Sequence, residues 1–219
     1  MPSHPASVSS SAWPMARVGD AQGLRRLHRE GVPLDVPDRA GLTPAHYAAG
    51  NGHAGAILTL IEVGARVDLA DWTGTTPAHD AASDGHHEVL EVMHLAGLPL
   101  DVVNHCGMTP AHLAAVGNHA AVIDVLSQAG APLGLSTTMG GTPAHCAARH
   151  GSLDALHALR SGGAPLHLRD RTGFTPEDLA RVRGHGHIVA AFSCWALREH
   201  AFGADIAPNR LRVGVAAPV

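Results

Sequence analysis

Lysine is absent from the 219 residues, and all fifteen basic side chains are arginine. The chain therefore offers no side-chain ε-amine, the usual attachment point for ubiquitin, and a ubiquitination assay is expected to find no efficient modification. Arginine is itself missing from residues 67–148, which hold Asp68, Asp71, Asp80, Asp84, Glu88, Glu91, Asp101 and Asp124. Residues 149–219 carry nine arginines against six acids. The net charge of −4 thus divides into an acidic middle and a mildly basic C-terminal part. An acidic surface repels phosphates, which argues against nucleic acid as a direct partner.

Other scarcities narrow the class further. Aromatic residues make up only 3% of the chain, so a core must be filled by Ala, Leu, Val and Ile. No apolar run reaches the ~18–20 residues needed to span a membrane, so no membrane partner is expected. The opening stretch, MPSHPASVSSSAWP, lacks the apolar segment of a secretory signal. Cys106, Cys146 and Cys194 form no CxxC pair, and an odd count argues against a disulfide framework. No Asn-x-Ser/Thr acceptor occurs. A cytoplasmic location is expected, with the nucleus as a second compartment.

Catalytic signatures are missing too. The chain has no GxSxG, HExxH or GxxxxGK[ST], and no GxGxxG opening a helix after a strand. Asp80 adjoins His79, but neighbours in a helix do not face one side. His105 adjoins Cys106, but nothing orients that imidazole as a base. No enzyme activity and no cofactor are expected.

What the chain does contain is a phrase repeated every 33 residues: TPAHYAA from Thr43, TPAHDAA from Thr76, TPAHLAA from Thr109, TPAHCAA from Thr142 and TPEDLA from Thr175. Such a period marks an array of supersecondary units, each too small to bury its apolar face alone. Thr43 reads as a helix N-cap and Pro44 as the first helical residue. The helix is expected to stop near Asn51-Gly52 in a left-handed cap. That glycine column runs Gly19, Gly52, Gly85, Gly151 and Gly184. Asn118 fills its gap, and asparagine is the next-best residue for a positive φ. The second helix of each unit carries the larger apolar residues, such as Val89, Leu90, Val92 and Met93, on a stripe facing the neighbouring unit.

The TPxHxAA phrase, the Asp38–Gly41, Asp71–Gly74 and Asp170–Gly173 turns and the period of 33 resemble ankyrin repeats over roughly residues 5–202. The resemblance implies an all-α repeat solenoid: stacked helix-turn-helix pairs with short β-hairpin fingers projecting from one edge. It divides the chain into a tail (1–4), a degenerate N-terminal capping repeat (5–37) and repeats at 38–70, 71–103, 104–136 and 137–169. A C-terminal capping repeat (170–203) and a tail (204–219) follow. In the last unit Asp178 replaces the phrase's histidine, and Ala196 stands where a glycine is expected. Its second helix is therefore expected to run on through Phe192, Trp195 and Leu197 to Gly203 and to cover the open end of the core.

Eighteen histidines raise the question of metal. Eight lie in repeat columns: His46, His79, His112 and His145, then His53, His86, His119 and His185. Equivalent residues of stacked helices lie ~8–10 Å apart, whereas zinc needs its nitrogens at ~2.0–2.1 Å. His86-His87 and His185 with His187 supply two ligands each, a poor site. No metal is expected, and the resemblance implies instead that these rings hydrogen-bond backbone between loops.

The same resemblance places the variable, partner-facing positions in the fingers and at the ends of the first helices, along a concave face. The candidate partner-binding residues are Trp72, Thr75, Asp80, Asp84, His105, Met108, Met139, Arg149, His150, Arg171 and Phe174. Trp72, Met108, Met139 and Phe174 read as apolar anchors of the kind that dominate interfaces. The alternative is that the fingers stack and bury them. Asp80 and Asp84 lie one helical turn apart, so both carboxylates face one side and suit an Arg or Lys of a partner. The alternative there is a solvated face. The expected function is that of a non-catalytic interaction module or adaptor. It is expected to act as a monomer and to bind another protein whose basic segment meets the acidic middle repeats. A rival reading starts from TPAHDAASDG, which resembles the HDAA phrase of ankyrin-type inhibitors of cyclin-dependent kinases, with Asp80 and Asp84 on the matching positions. This chain departs from those inhibitors in its added C-terminal unit and its tail. A second rival is a substrate-recognition adaptor or effector in ubiquitin signalling.

Overall fold

The computed structural model describes residues 12–203, with side chains through Leu197. The tails expected at 1–4 and 204–219, and the first part of the N-terminal capping repeat, lie outside the described residues. Twelve helices follow in pairs. They are α1 (Ala12–Arg17) with α2 (Ala21–Arg29), α3 (Pro44–Gly50) with α4 (Ala54–Glu62), and α5 (Pro77–Asp84) with α6 (His87–Leu95). Then come α7 (Pro110–Val116) with α8 (Ala120–Gln128), α9 (Pro143–His150) with α10 (Leu153–Ser161), and α11 (Pro176–Val182) with α12 (Gly186–Gly203). The odd-numbered helices pack in chain order from α1 to α11. The even-numbered helices pack in chain order from α2 to α10. The result is a two-layer all-α solenoid, and none of the described residues is in a strand.

The division of labour between layers follows from side-chain size. The odd-numbered, inner helices bury alanines, such as Ala48, Ala81, Ala114 and Ala147, and so approach closely. The even-numbered, outer helices supply the bulk: Ile57, Leu60, Leu90, Met93, Ile123, Leu126, Leu156 and Leu159 are fully buried. Burying each such side chain contributes about 1.5–3 kcal/mol.

Two ladders of hydrogen bonds join consecutive units. In the first, the backbone N–H of Thr43, Thr76, Thr109 and Thr142 donates to Nδ1 of His46, His79, His112 and His145 at 3.0, 3.2, 3.0 and 3.1 Å. A nitrogen that accepts from an N–H carries no proton, so the ring proton sits on Nε2. That Nε2–H donates to the carbonyl of Thr75, Met108, Gly141 or Phe174, 29 residues further on. Each neutral imidazole thus caps its own helix and ties it to the next finger. The capped threonines are extended, and a proline opens each helix, as the phrase requires.

The second ladder runs backwards. Nε2 of His53, His86, His119 and His185 bonds the carbonyl of Arg17, Gly50, Ser83 and Arg149, each 36 residues earlier. Ser152 takes the fourth place in that column, its Oγ donating to Val116 O. The rings lie against the preceding glycines: a Cβ on Gly52 would sit 2.7 Å from His86, and one on Gly85 2.6 Å from His119. At Asn118 the following unit offers Ser152 instead of a ring. A non-glycine residue therefore fits at φ 59°, and its side chain bonds Ala155 N and Asp154. Two apparent lapses in the repeat, Asn118 and Ser152, are one compensated change.

The fingers expected as β-hairpins are tight turns. Each closes with one bond between ends, as from Asp71 N to Thr75 O, and one across the turn, as from Gly74 N to Asp71 O. Adjacent fingers are joined by backbone bonds from His105 to Thr73, Thr138 to Cys106 and Arg171 to Met139. At the first end, Leu24 and Leu27 are buried and Arg25, Arg26 and Arg29 are exposed. At the other, α12 is an 18-residue helix that buries Ile188 and Trp195. Trp195 meets His157, Phe192 and the Arg160 guanidinium at 5.1, 5.2 and 4.9 Å. Leu197 does not join that cover; it faces solvent.

Candidate functional site

The inner helices and the fingers form one wall, and the sequence-predicted residues are spread along it. Trp72, at a finger tip, lies over Gly41, where a Cβ would meet its ring at 2.9 Å. Its Nε1–H donates to Arg39 O at 3.2 Å, yet 64% of the residue stays exposed. Stacking of fingers therefore positions the indole without burying it. His105 and Arg171 repeat the arrangement over Gly74 and Gly140. Met139 is 65% and Phe174 39% exposed. Met108 departs from the expected exposed anchor: it is half-buried, and its carbonyl accepts from His79 Nε2 at 2.9 Å. Thr75 is likewise half-buried and spends its carbonyl on His46 and its hydroxyl on Thr73.

Asp80 is half-buried and Asp84 exposed. They lie side by side against the end of α3: a Cβ on Gly50 would stand 3.5 Å from Asp84 Oδ2 and 3.7 Å from Asp80 Cβ. Burial, then the charges of Asp71 and Asp84, push the Asp80 carboxyl up to about 7. Unlike Asp80, Asp71 is held below the usual carboxylate value although burial opposes it, because Thr73 and Thr75 donate to it. Arg149 and His150 are exposed at the end of α9, with His150 Nδ1 donating to Cys146 O at 2.9 Å.

A groove of about 390 Å³ opens between helix α9 and the fingers at 104–109 and 137–142, with Asp170 and Thr172 of the following finger at its border. It brings together Met108, Met139, Arg149 and His150 from the predicted set, and leaves out Trp72, Thr75, Asp80, Asp84, His105, Arg171 and Phe174. It also recruits Cys106, Val116 and Cys146, which were not among the candidates. Cys146 stands 66 residues, two repeat lengths, after Asp80, so the period alone identifies it as a wall position. Burial pushes its thiol up to about 11, and it stays protonated at neutral pH. A larger cavity of about 600 Å³, bordered by Arg160, Phe192 and Trp195, shares no lining residue with this groove. Among the described residues no three His, Cys, Asp or Glu side chains converge on a point where a metal would sit. The paired His185 and His187 bond the carbonyls of Arg149 and Gly151 through Nε2. No helix among the described residues is long and apolar enough to cross a membrane.

A line of helix pairs that displays a wall of fingers and helix ends is a repeat scaffold built for surface contact. Residues 14–95 match the family profile for ankyrin repeats in three copies, 78–127 the profile for many copies, and 139–171 that of a single ankyrin repeat. The chain belongs to the ankyrin repeat family. Ankyrin repeats are general protein–protein interaction modules, typically non-catalytic. No curated protein matches the chain.

Proposed function

We propose that this chain is a non-catalytic adaptor that binds one partner protein along the concave wall and the finger tips. The observation that carries the reading is the exposure of Trp72, Met139 and Phe174 at 64%, 65% and 39%. Large apolar side chains held outward on a rigid backbone lose little entropy on binding and act as interface anchors. Asp84 adds a carboxylate for a basic segment of the partner. Asp80, raised to about 7 in the free chain, adds a second as an approaching cation favours its ionised form. The proposed units are the four repeats between 38 and 169 with capping repeats at 5–37 and 170–203. We take the protein to work as a monomer in the cytoplasm and nucleus, consistent with the free thiols of Cys106, Cys146 and Cys194.

The test is affinity purification from an extract of the source cells, with the wild type and Trp72→Ser as parallel baits. A protein retained by the wild type and depleted about tenfold or more with Trp72→Ser, at unchanged circular dichroism, supports the reading. Identical retention by both baits contradicts it.

A further inference from the structure

Two unsatisfied charges of opposite sign lie along the wall with an apolar groove between them. At one end, the carboxyls of Asp80 and Asp84 on α5 have no hydrogen-bond or ion-pair partner among the described residues. At the other, the Arg149 guanidinium on α9 also has none, and it borders the groove. Some charges on the molecule do pair, as in Arg25–Glu62 at 2.8 Å and Arg181–Glu177 at 2.6 Å, and others, such as Arg39 and Glu91, do not. The Asp pair and Arg149 are set apart by standing on the inner helices α5 and α9, to either side of α7. The groove floor between the two ends is formed by Met108, Val116, Met139 and Cys146.

We infer that the wall binds an extended, charge-polarised protein segment. A basic side chain of that segment pairs with Asp80 and Asp84, a large apolar side chain fills the groove, and an acidic side chain pairs with Arg149. The inference rests on the adaptor reading above and specifies the partner's chemistry. The spacing follows from packing. Helices α5, α7 and α9 contact one another in order, and each step is ~8–10 Å, so the charged ends stand about 16–20 Å apart. An extended chain rises ~3.3 Å per residue. The basic and acidic residues therefore lie about five or six positions apart, with the apolar one nearer the acid. A segment with one sign of charge satisfies only one end. A nucleic acid brings phosphate to the Asp pair and is repelled there.

The test is panning a phage-displayed library of random peptides against the folded full chain, in parallel with Asp84→Arg and Arg149→Glu. Both substituted positions are exposed, and circular dichroism checks that each variant folds. The wild type is expected to enrich peptides with a basic and an acidic residue at the stated spacing around a large apolar one. Asp84→Arg is expected to remove the basic preference and Arg149→Glu the acidic one, with the apolar position retained. The synthetic consensus peptide is expected to bind each variant at least about tenfold more weakly than the wild type. Enrichment without that charge pattern, or the same peptides from all three baits, overturns the polarised segment and leaves the adaptor reading standing. No enrichment by any folded bait counts against both.

Discussion

Thr59 carries the one side-chain oxygen that is buried without a hydrogen-bond partner among the described residues. Its hydroxyl is desolvated on α4 and receives nothing in return. Thr59→Val keeps the shape and removes the penalty, and is expected to stabilise the protein by about 1 kcal/mol in a denaturant titration. A loss of stability would show that the hydroxyl has a partner. His112 is the opposite case. It is fully buried and satisfies both Thr109 N and Gly141 O. His112→Leu leaves both groups orphaned and is expected to cost about 3 kcal/mol. An effect within about 0.5 kcal/mol would mean the ring does not join the units.

Among the elements, the joint between one inner helix and the next outer helix is governed by a pair of positions. Where a histidine reaches back, the capping residue 34 positions earlier is glycine, as Gly85 is to His119. Where Ser152 reaches back, Asn118 is tolerated. Gly85→Asn alone is expected to destabilise, since its Cβ would lie 2.6 Å from the His119 ring. Adding His119→Ser opens the space and recreates the Asn118–Ser152 pair. The double variant is expected to be more stable than the sum of the single changes by about 1–2 kcal/mol. Strict additivity of the two melts would refute the steric account. The helix starts, the left-handed stops and the outer apolar stripe were all legible from local spacing, because each depends on residues within one turn. Asn118 was legible as a positive-φ residue, but Ser152 as its counterpart was not, since their relation exists only across the stacked units. At the site, Met108 closes its turn, in the column of Thr75 and Gly141, whereas Met139 is at the tip, in the column of Thr73 and Cys106. The first column is half-buried and the second exposed, so the period distinguishes the two although both read as anchors by size. The groove between α9 and three successive fingers, like the Asn118–Ser152 pair, is a property of stacking.

For the whole molecule, the imidazole ladder makes cohesion between units pH-dependent. Burial, the first cause, lowers His46, His79 and His145 below the ordinary value and takes His112 to about 4. The folded state thus holds these rings neutral while the unfolded chain protonates them near ~6.5. Between those values the unfolded state binds more protons, so stability rises with pH there. The contribution is fully present above about 6.5 and is lost as pH falls from there towards the lowered values. Asp80, raised to about 7, acts in the opposite sense in the same window. The ladder is therefore read in Asp80→Asn, whose thermal midpoints are expected to hold level above about pH 6.5 and to drop between there and pH 4. A flat profile across that window would mean that the rings titrate alike in both states. Because each ring ties its own unit to the next, loss of one weakens the interface between those two units.

The claim that the concave wall is the working surface is tested most directly by position-specific photo-crosslinking. A photoreactive side chain is placed at Met139 on a finger, at Trp72 on another, or at Leu95, an exposed residue on the outer helix α6, and the protein is irradiated in an extract of the source cells. The account expects one covalent adduct of the same mass from positions 72 and 139 and none from 95. Adducts from position 95 alone, or equally from all three, would contradict it.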